Sequence, residues 1–469
     1  MNILLLNPPG RTQYTRDYFC SKITKTHYVE QPVDFIILSG ILSQRYKINI
    51  LDAVMLNLDN ASAIKKIISL NSDFVIFLSG IVSWKEDFAF LETLKKLCPK
   101  LIFIGIGDIF RAKELNKDIL ENYDFLDAIL MDFTAPDILY YLEGKNEKIK
   151  NMMFREGKDI VIKNEISVAK EFNIPVPRQE LFMNKRYSFP FAKKLPFVTL
   201  LTDYGCPFDC SFCVYPTLGF KLRGLENVFA ELKYIHSLGI RELFIKDQCF
   251  GVNEERTVKF CREIISKKWN FSWTCFLRTD LAKKELLVEM KAAGCHTIIF
   301  GVESANQSFL FKNKKGINEE NIYSAFGLCN KLGIDTVGTF ILGFPGEDKE
   351  SILSTVELSI RLKCDFASFN LFVPRLSTRA WWEIGEKYSM ERLLMDQSGT
   401  GETWEHDRLS RRELSGLRRL AVRKFYLRAP YIYKRISKVR SPTELKTLIK
   451  NGTFLIKSVF AGGFLLHHK

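Results

Sequence analysis

The 469-residue sequence has no apolar run of the length a membrane helix needs, about 20 residues, which excludes a helical channel or transporter. It also lacks a signal peptide's features: the opening Met1-Asn-Ile-Leu-Leu-Leu-Asn-Pro-Pro-Gly10 has no basic start, and Pro8 and Pro9 cut its apolar run short. That segment is read as a buried first strand. Histidine is scarce, with six in all and only His27 before residue 236, so the first half offers no histidine-rich metal nest. Cysteine is not scarce, but the count of 11 is odd and no secretory segment accompanies it. A disulfide framework is not expected, and a reducing, cytoplasmic setting is. Acidic residues are almost missing from one region. Residues 408–469 hold 16 Lys or Arg against 2 Asp or Glu, which accounts for the whole net charge of +14. The basic character belongs to that module and not to the whole surface.

What is present reads as α/β. Residues 1–145 alternate short apolar strands (Asn2–Leu6, Ile48–Leu51, Phe74–Leu78, Leu101–Ile104, Asp127–Met131) with helical patterns such as Val33–Tyr46 and Lys85–Leu97. Near-continuous apolar strands imply a sheet covered on both faces, and interleaved helices imply parallel pairing with right-handed crossovers. A doubly wound Rossmann-like or flavodoxin-like domain is expected, with its ligand crevice in the loops Asn7–Gly10, Ser79–Ser83 and Gly105–Asp108. Residues 146–190 read as a hairpin near Arg155–Ile162 and an extended linker around Ile174–Arg178. Residues 191–378 carry a second βα series, with strands at Phe197–Thr202, Leu243–Lys246, Phe271–Phe276, Thr297–Gly301, Thr336–Leu342 and Phe366–Phe372. Three of its helices end in a glycine (Gly239, Gly294, Gly333), the residue suited to a left-handed cap. Six units predict a partial (β/α)6 barrel, shorter than the closed eight-unit one. Residues 379–469 read as a basic helical extension, with Leu414, Leu417, Leu420, Ala421 and Phe425 on one stripe of a helical cap over the barrel mouth.

The densest chemistry lies just after the first barrel strand, in Gly205-Cys-Pro-Phe-Asp-Cys-Ser-Phe-Cys213. Thiols at Cys206, Cys210 and Cys213 can converge on one metal centre. Iron–sulfur clusters and zinc both usually take four ligands, and no fourth Cys or His is near in sequence. Three ligands on a four-iron cluster leave one iron open. The other eight cysteines are read as small core residues.

This loop, with the aromatic Phe212 before its last cysteine, resembles the signature of the radical S-adenosylmethionine (radical SAM) family. The resemblance implies that Cys206, Cys210 and Cys213 hold a 4Fe–4S cluster. It also implies that the open iron takes S-adenosylmethionine, whose cleavage gives a 5′-deoxyadenosyl radical. Asp247 in Lys246–Phe250, Arg278, Glu303 in Gly301–Ser304, and Ile341 and Gly343 in Ile341–Glu347 stand at successive strand ends. With Phe212, they are the implied contacts to that cofactor.

A Rossmann-like domain ahead of such a barrel resembles the cobalamin-binding members of the family. Asn7, Pro8, Ser79, Gly80, Gly105 and Gly107 are the implied cobalamin residues. The Asp-x-His-x-x-Gly motif that supplies an imidazole to cobalt is absent, so any corrin here lacks a histidine ligand. The glycine–acid turn usual after the fifth strand is replaced by Met131-Asp-Phe-Thr-Ala135, which is expected to narrow the crevice. Arg423–Pro430 resembles a segment found after the barrel in the same relatives.

The resemblance implies an enzyme that transfers a methyl group to a carbon centre of a small-molecule or lipid substrate, served by an electron donor such as flavodoxin or ferredoxin. The alternatives are radical cyclisation, ring contraction or rearrangement without methyl transfer, and a non-catalytic membrane-associated adaptor with a structural cluster. Methylthio transfer is disfavoured, because only Cys20 and Cys98 are available for a second N-terminal cluster. The basic C-terminal region, with the apolar Phe454–Phe460, suits contact with the inner face of an anionic membrane. No nucleic-acid motif accompanies the charge, so nucleic acid is not expected as a partner.

Overall fold

The computed structural model describes residues 1–24, 28–111, 113–165, 170–384, 396–398, 404, 406–437, 439 and 452–453. The first sheet comprises β1 (Asn2–Asn7), β2 (Lys47–Asp52), β3 (Phe74–Leu78), β4 (Ile102–Ile106), β5 (Ala128–Leu130), β6 (Asn151–Glu156) and β7 (Asp159–Asn164). Their spatial order is β2-β1-β3-β4-β5-β6-β7. The first five are parallel in the 2-1-3-4-5 order of the flavodoxin-like fold, whose ligand crevice lies where the order reverses, beyond β1 and β3. These strands form where expected because their apolar side chains are buried on both faces of the sheet. The β6–β7 hairpin is antiparallel and pairs with β5. It therefore extends the first sheet and is not part of the linker. The helix from residue 33 ends at Leu42 instead of Tyr46, because the next strand starts at Lys47 and the chain must turn before it.

The second sheet comprises β8 (Phe197–Leu200), β9 (Glu242–Ile245), β10 (Ser272–Leu277), β11 (Cys295–Glu303), β12 (Asp335–Leu342) and β13 (Phe366–Leu371). They pair in chain order, all parallel, as an open six-stranded barrel wall. Gly239, Gly294 and Gly333 all have positive φ at their helix ends. The strand β11 runs two residues beyond its expected end, because a register shift between Gly301 and Glu303 keeps it paired with β12.

The two sheets are stapled together. Helix Val33–Leu42 is buried at every position, and one apolar cluster runs from Ile3 and Ile76 through it to Phe244, Ile299 and Val337 of the barrel. Gln31 ties them further: its amide donates to the carbonyls of Phe182 and Phe197, both at 2.9 Å, and its oxygen accepts from Thr199 N at 2.8 Å. The linker is anchored too, since Pro175 and Pro177 press on Gly40, where a side chain would meet the Pro175 carbonyl at 2.4 Å.

Helix Arg411–Tyr426 opens on a Ser410–Glu413 capping box. Leu414, Leu417, Ala421 and Phe425 are buried in the barrel's outer core, and the Tyr426 hydroxyl donates to the Ala367 carbonyl of β13 at 2.7 Å. This helix therefore flanks the open edge of the barrel, in place of the expected cap over its mouth. The stripe found the right face; the charged residues beside it could not say which surface that face would cover. Phe454–Phe460 and His27 lie outside the described residues. Among the described residues no helix is long and apolar enough to cross a membrane.

Candidate functional site

The cysteine loop leaves the barrel at the end of β8 and is closed at its base by a ribbon of Asp203–Gly205 against Phe220–Arg223. Gly205 is required there. It has φ +80°, and a Cβ would sit 1.6 Å from the Gly219 carbonyl oxygen. Within the loop, Cys213 N donates to the Cys210 carbonyl at 3.1 Å. Ser211 fixes the loop to the segment after β11, through its N to the Asn313 carbonyl at 3.1 Å and its hydroxyl to Asn313 Oδ1 at 2.7 Å.

The three thiols are near enough to act on one another electrostatically. Cys210 is buried, and Cys206 and Cys213 are partly so. Burial pushes the Cys206 thiol up to about 11 and Cys213 to about 12, and raises Cys210 too. Desolvated thiols give up their protons only to a cation that replaces them, which an iron centre does. The loop itself brings three thiols, and the buried Cys249 after β9 is near enough to act on Cys206 electrostatically. The donor set fits a three-thiolate cluster.

Around the thiols stand charged groups from successive strand ends. Arg278, after β10, brings Nη1 to 4.0 Å from Cys210 Sγ and lies 3.8 Å over the Phe208 ring. It donates to Asp280 at 2.9 Å and to the Lys315 carbonyl at 2.7 Å. Glu303 ends β11 with φ +68°, which the register shift permits and which turns its carboxylate onto Lys315 Nζ at 2.8 Å. Cys210, Arg278, Lys315 and Glu303 thus form one continuous buried chain of contacts.

Asp247 stands apart. It accepts from Thr202 N at 2.6 Å, from the Thr202 hydroxyl, and from Asp203 N at 3.1 Å. Its carboxylate is committed to holding the turn that launches the cysteine loop. Beside it, burial raises Asp203 well above the ordinary carboxyl range and the Asp247 charge raises it further. Phe212 packs edge-on against Phe344, ring centres 5.6 Å apart, in an apolar wall shared with Ile341, Phe372 and Trp404. Gly343 N donates to the buried Glu347 at 2.6 Å, and a Cβ at Gly343 would meet Leu414 at 2.8 Å.

Lys315, Asp203 and Glu347 were missed by the sequence reading. In sequence they are ordinary charged residues near turns. Only the folded chain shows that each is buried and faces another charge or a row of amides.

The other expected group lies at the ends of β1, β3 and β4. Asn7 Nδ2 donates to Asp52 at 3.0 Å, while Asn7 Oδ1 and the Pro8 carbonyl accept from Arg16 at 3.0 and 2.9 Å. Ser79 donates to Asp87 at 2.9 Å, and Asp87 pairs with Arg16 at 2.7 Å. Gly80 lies against Ser21, Gly105 against Phe110, and Gly107 so close to Ser79 that a Cβ would be 2.0 Å from its carbonyl. These six residues are brought together, but Asn7 and Ser79 have their side chains committed to protein partners. The Met131–Ala135 loop buries Phe133 against Tyr18 and Tyr204, with ring centres 5.1 and 5.7 Å apart, and so fills part of the crevice with aromatic rings.

The model of the radical SAM superfamily matches residues 201–359.

Residues 201–359 form a radical SAM domain.

The chain is 26% identical over 450 residues to the uncharacterized methyltransferase PH0819 of Pyrococcus horikoshii, covering 93% of this chain and 95% of that protein. It is 25% identical over 286 residues to the anaerobic magnesium-protoporphyrin IX monomethyl ester cyclase of Rubrivivax gelatinosus, spanning about half of that protein (48%). The fold resembles the radical S-adenosylmethionine methyltransferase TsrM from Kitasatospora setae, solved with cobalamin and a [4Fe-4S] cluster. That match has a TM-score of 0.65 and 17% identity over 82% of this chain and 78% of TsrM. It also resembles the cobalamin-dependent enzyme OxsB, solved with aqua-cobalamin and S-adenosylmethionine. There the TM-score is 0.66 with 17% identity over 98% of this chain and 72% of OxsB. The two-domain arrangement, with the radical SAM domain in the C-terminal half, is therefore a fold shared with cobalamin-dependent radical SAM enzymes.

Whether a corrin suits this chain can be asked of the junction between the first sheet and the radical SAM domain. Thr15 Oγ1, Asp34 Oδ1, Arg111 Nε and both terminal nitrogens of Arg375 are buried without hydrogen-bond partners among the described residues. A large cofactor edged with amides would satisfy such groups, and a protein-filled junction leaves them unpaired. The donor set fits.

Proposed function

We propose that this chain is a radical SAM enzyme that uses cobalamin to transfer a methyl group to a carbon centre of a small-molecule or lipid substrate. The observation that carries the radical step is the cysteine loop: one buried and two half-buried thiols at a strand end, with Arg278 and the Lys315–Glu303 pair beside them. The full-length likeness to PH0819 and the fold shared with TsrM and OxsB support methyl transfer and cobalamin use.

When bound, the cluster supplies the electron that cleaves the sulfonium of S-adenosylmethionine, and the corrin carries the methyl group. The protein supplies binding, orientation and exclusion of water. Cys206, Cys210 and Cys213 are the cluster ligands. Lys315 and Arg278 would meet the carboxylate of S-adenosylmethionine, and Glu303 would accept from its amino group or ribose. Phe212, Ile341 and Phe344 give an apolar wall for its adenine, with Gly343 shaping the turn. Asp247 orients the loop through Thr202 and Asp203. The loops at Asn7–Pro8, Ser79–Gly80 and Gly105–Gly107 form the first-domain side of the corrin site.

The setting proposed is cytoplasmic, with electrons from a flavodoxin or ferredoxin. Helix Ala429–Ser437 exposes Ile432, Tyr433 and Ile436, which supports peripheral contact with a membrane face, while Lys434 pairs with Asp365 and Arg435 lies over the Phe366 ring. The test is anaerobic reconstitution with iron, sulfide and cobalamin, followed by S-adenosylmethionine carrying a labelled methyl group. Label in a carbon–methyl product supports methyl transfer. A rearranged, unlabelled product assigns the chain to the cyclase-like chemistry of its Rubrivivax relative instead.

A further inference from the structure

Three buried arginines can be compared. Arg16 and Arg223 are fully enclosed and richly bonded to side chains and carbonyls. Arg375 is only 6% exposed, yet neither Nη1 nor Nη2 has a hydrogen-bond partner among the described residues. An unpaired buried donor is costly and calls for an explanation, the more so when it is charged.

Arg375 follows β13 at the junction of the two sheets. Leu376 packs into the core of the first domain, and Ser377 Oγ lies 3.5 Å from the Arg111 carbonyl. The groups acting on the guanidinium are Cys20, Asp108, Asp396 and Asp17. Each of the three carboxylates already accepts from backbone amides: Asp108 from Ser21 and Ile81, Asp17 from Phe19 and Cys20, Asp396 from Ile23 and Ser398. They balance its charge through space and are aimed elsewhere. An anion entering this acid-ringed spot would be repelled. A neutral acceptor would not, and a guanidinium fork fits a carbonyl-rich edge.

We infer that Arg375 donates to carboxamide carbonyls on the edge of the corrin ring, making it a binding residue of the junction. The inference rests on the cobalamin reading above. It distinguishes ring amides from the phosphate of the nucleotide loop, the other acceptor a cobalamin offers.

The experiment titrates full-length wild type, Arg375→Met and Arg375→Lys with aquacobalamin and with cobinamide, which keeps the amides and lacks the phosphate. Absorbance reports binding, and thermal melting is followed with and without ligand. Both variants should bind both corrinoids at least tenfold more weakly, the range expected for losing hydrogen bonds from a charged donor. Arg375→Met without ligand should melt below the wild-type temperature, since it leaves Asp17, Asp108 and Asp396 without the charge that balances them, and should also lose most of the ligand-induced rise. Should Arg375→Met fail to fold, Arg375→Lys, which keeps the charge without the fork, carries the test. Wild-type affinity in both variants overturns the inference and leaves the cobalamin reading standing. Weakened cobalamin binding with unchanged cobinamide binding overturns it in favour of a phosphate contact. Failure of the wild type to bind either corrinoid overturns the cobalamin reading and this inference with it.

Discussion

Replacing Arg16 with Met should unlock the loops at the end of the first sheet. The guanidinium donates from Nε to Ser83 at 3.0 Å and Asp87 at 3.1 Å. From Nη1 it donates to Asn7 at 3.0 Å and the Pro8 carbonyl at 2.9 Å, and from Nη2 to the Pro9 carbonyl at 3.1 Å and Asp87 at 2.7 Å. Both side chains of the pair are fully enclosed. Burial raises the Asp87 carboxyl, and Arg16 is the main influence pulling it back. Removing the arginine leaves that acid with only Ser79 and Ser83 as donors. Breaking a buried pair from one side costs about 3–5 kcal/mol. At roughly 2–4 °C per kcal/mol for a unit of this size, the melting temperature should fall by about 6–20 °C. Circular dichroism on the corrin-free protein measures this. The double variant Arg16→Met, Asp87→Leu removes both charges, so its loss should be smaller than the sum of the two single losses by about 2 kcal/mol or more. A single-variant loss below about 1 kcal/mol, or strict additivity, would refute the reasoning that this pair holds Asn7, Pro8 and Ser79 in place.

Three further outcomes follow from the geometry. Burial raises the Asp34 carboxyl from 3.8 to about 8, with Asp17 adding to the shift. The folded chain therefore holds a proton that the unfolded chain has lost, and stability falls by about 1.4 kcal/mol per pH unit through that window. Asp34→Asn should flatten that part of the stability–pH curve in urea titrations; an unchanged slope would contradict it. Gly107→Ala should cost at least about 2 kcal/mol by the same titrations, since φ is +132° and the new Cβ would meet the Ser79 carbonyl. Lys315→Met leaves Glu303 buried without its partner, so it should weaken binding of S-adenosylmethionine at least tenfold in isothermal titration while the iron content stays at wild type. Unchanged affinity would remove Lys315 from the cofactor's contacts.

The elements were legible where burial is two-sided. The strand β3 is a continuous apolar run, β1 and β9 carry such runs in Ile3–Leu6 and Leu243–Ile245, and the glycines at 239, 294 and 333 mark the ends of helices. The cysteine loop was legible because its three thiols are close in sequence. The groups around it were legible only as strand ends. Glu303 was found, but its partner Lys315 lies twelve residues on and is marked by nothing in its local pattern. Asp247 was read as a cofactor contact from its strand end, and its bonds to Thr202 and Asp203 were not legible there. Arg16 and Asp87 are 71 residues apart, and no local periodicity announces that a charged residue will be buried against a distant one. The segment carrying Arg16, Asp17 and Tyr18 has little regular structure, so hydrophobic period could not show that it fills the junction. The flank taken by helix Arg411–Tyr426 was hidden for a related reason: amphipathicity gives the face and not the surface it meets.

The central claim is that Cys206, Cys210 and Cys213 hold a 4Fe–4S cluster with one iron open to S-adenosylmethionine. Electron paramagnetic resonance of the anaerobically reconstituted, reduced protein tests it most directly, recorded before and after adding S-adenosylmethionine and repeated on Cys210→Ala. The account predicts one cluster signal in the wild type that changes shape when the cofactor is added, and its loss in the variant. A wild type without iron and sulfide, a signal indifferent to the cofactor, or a cluster that survives intact in Cys210→Ala would contradict it.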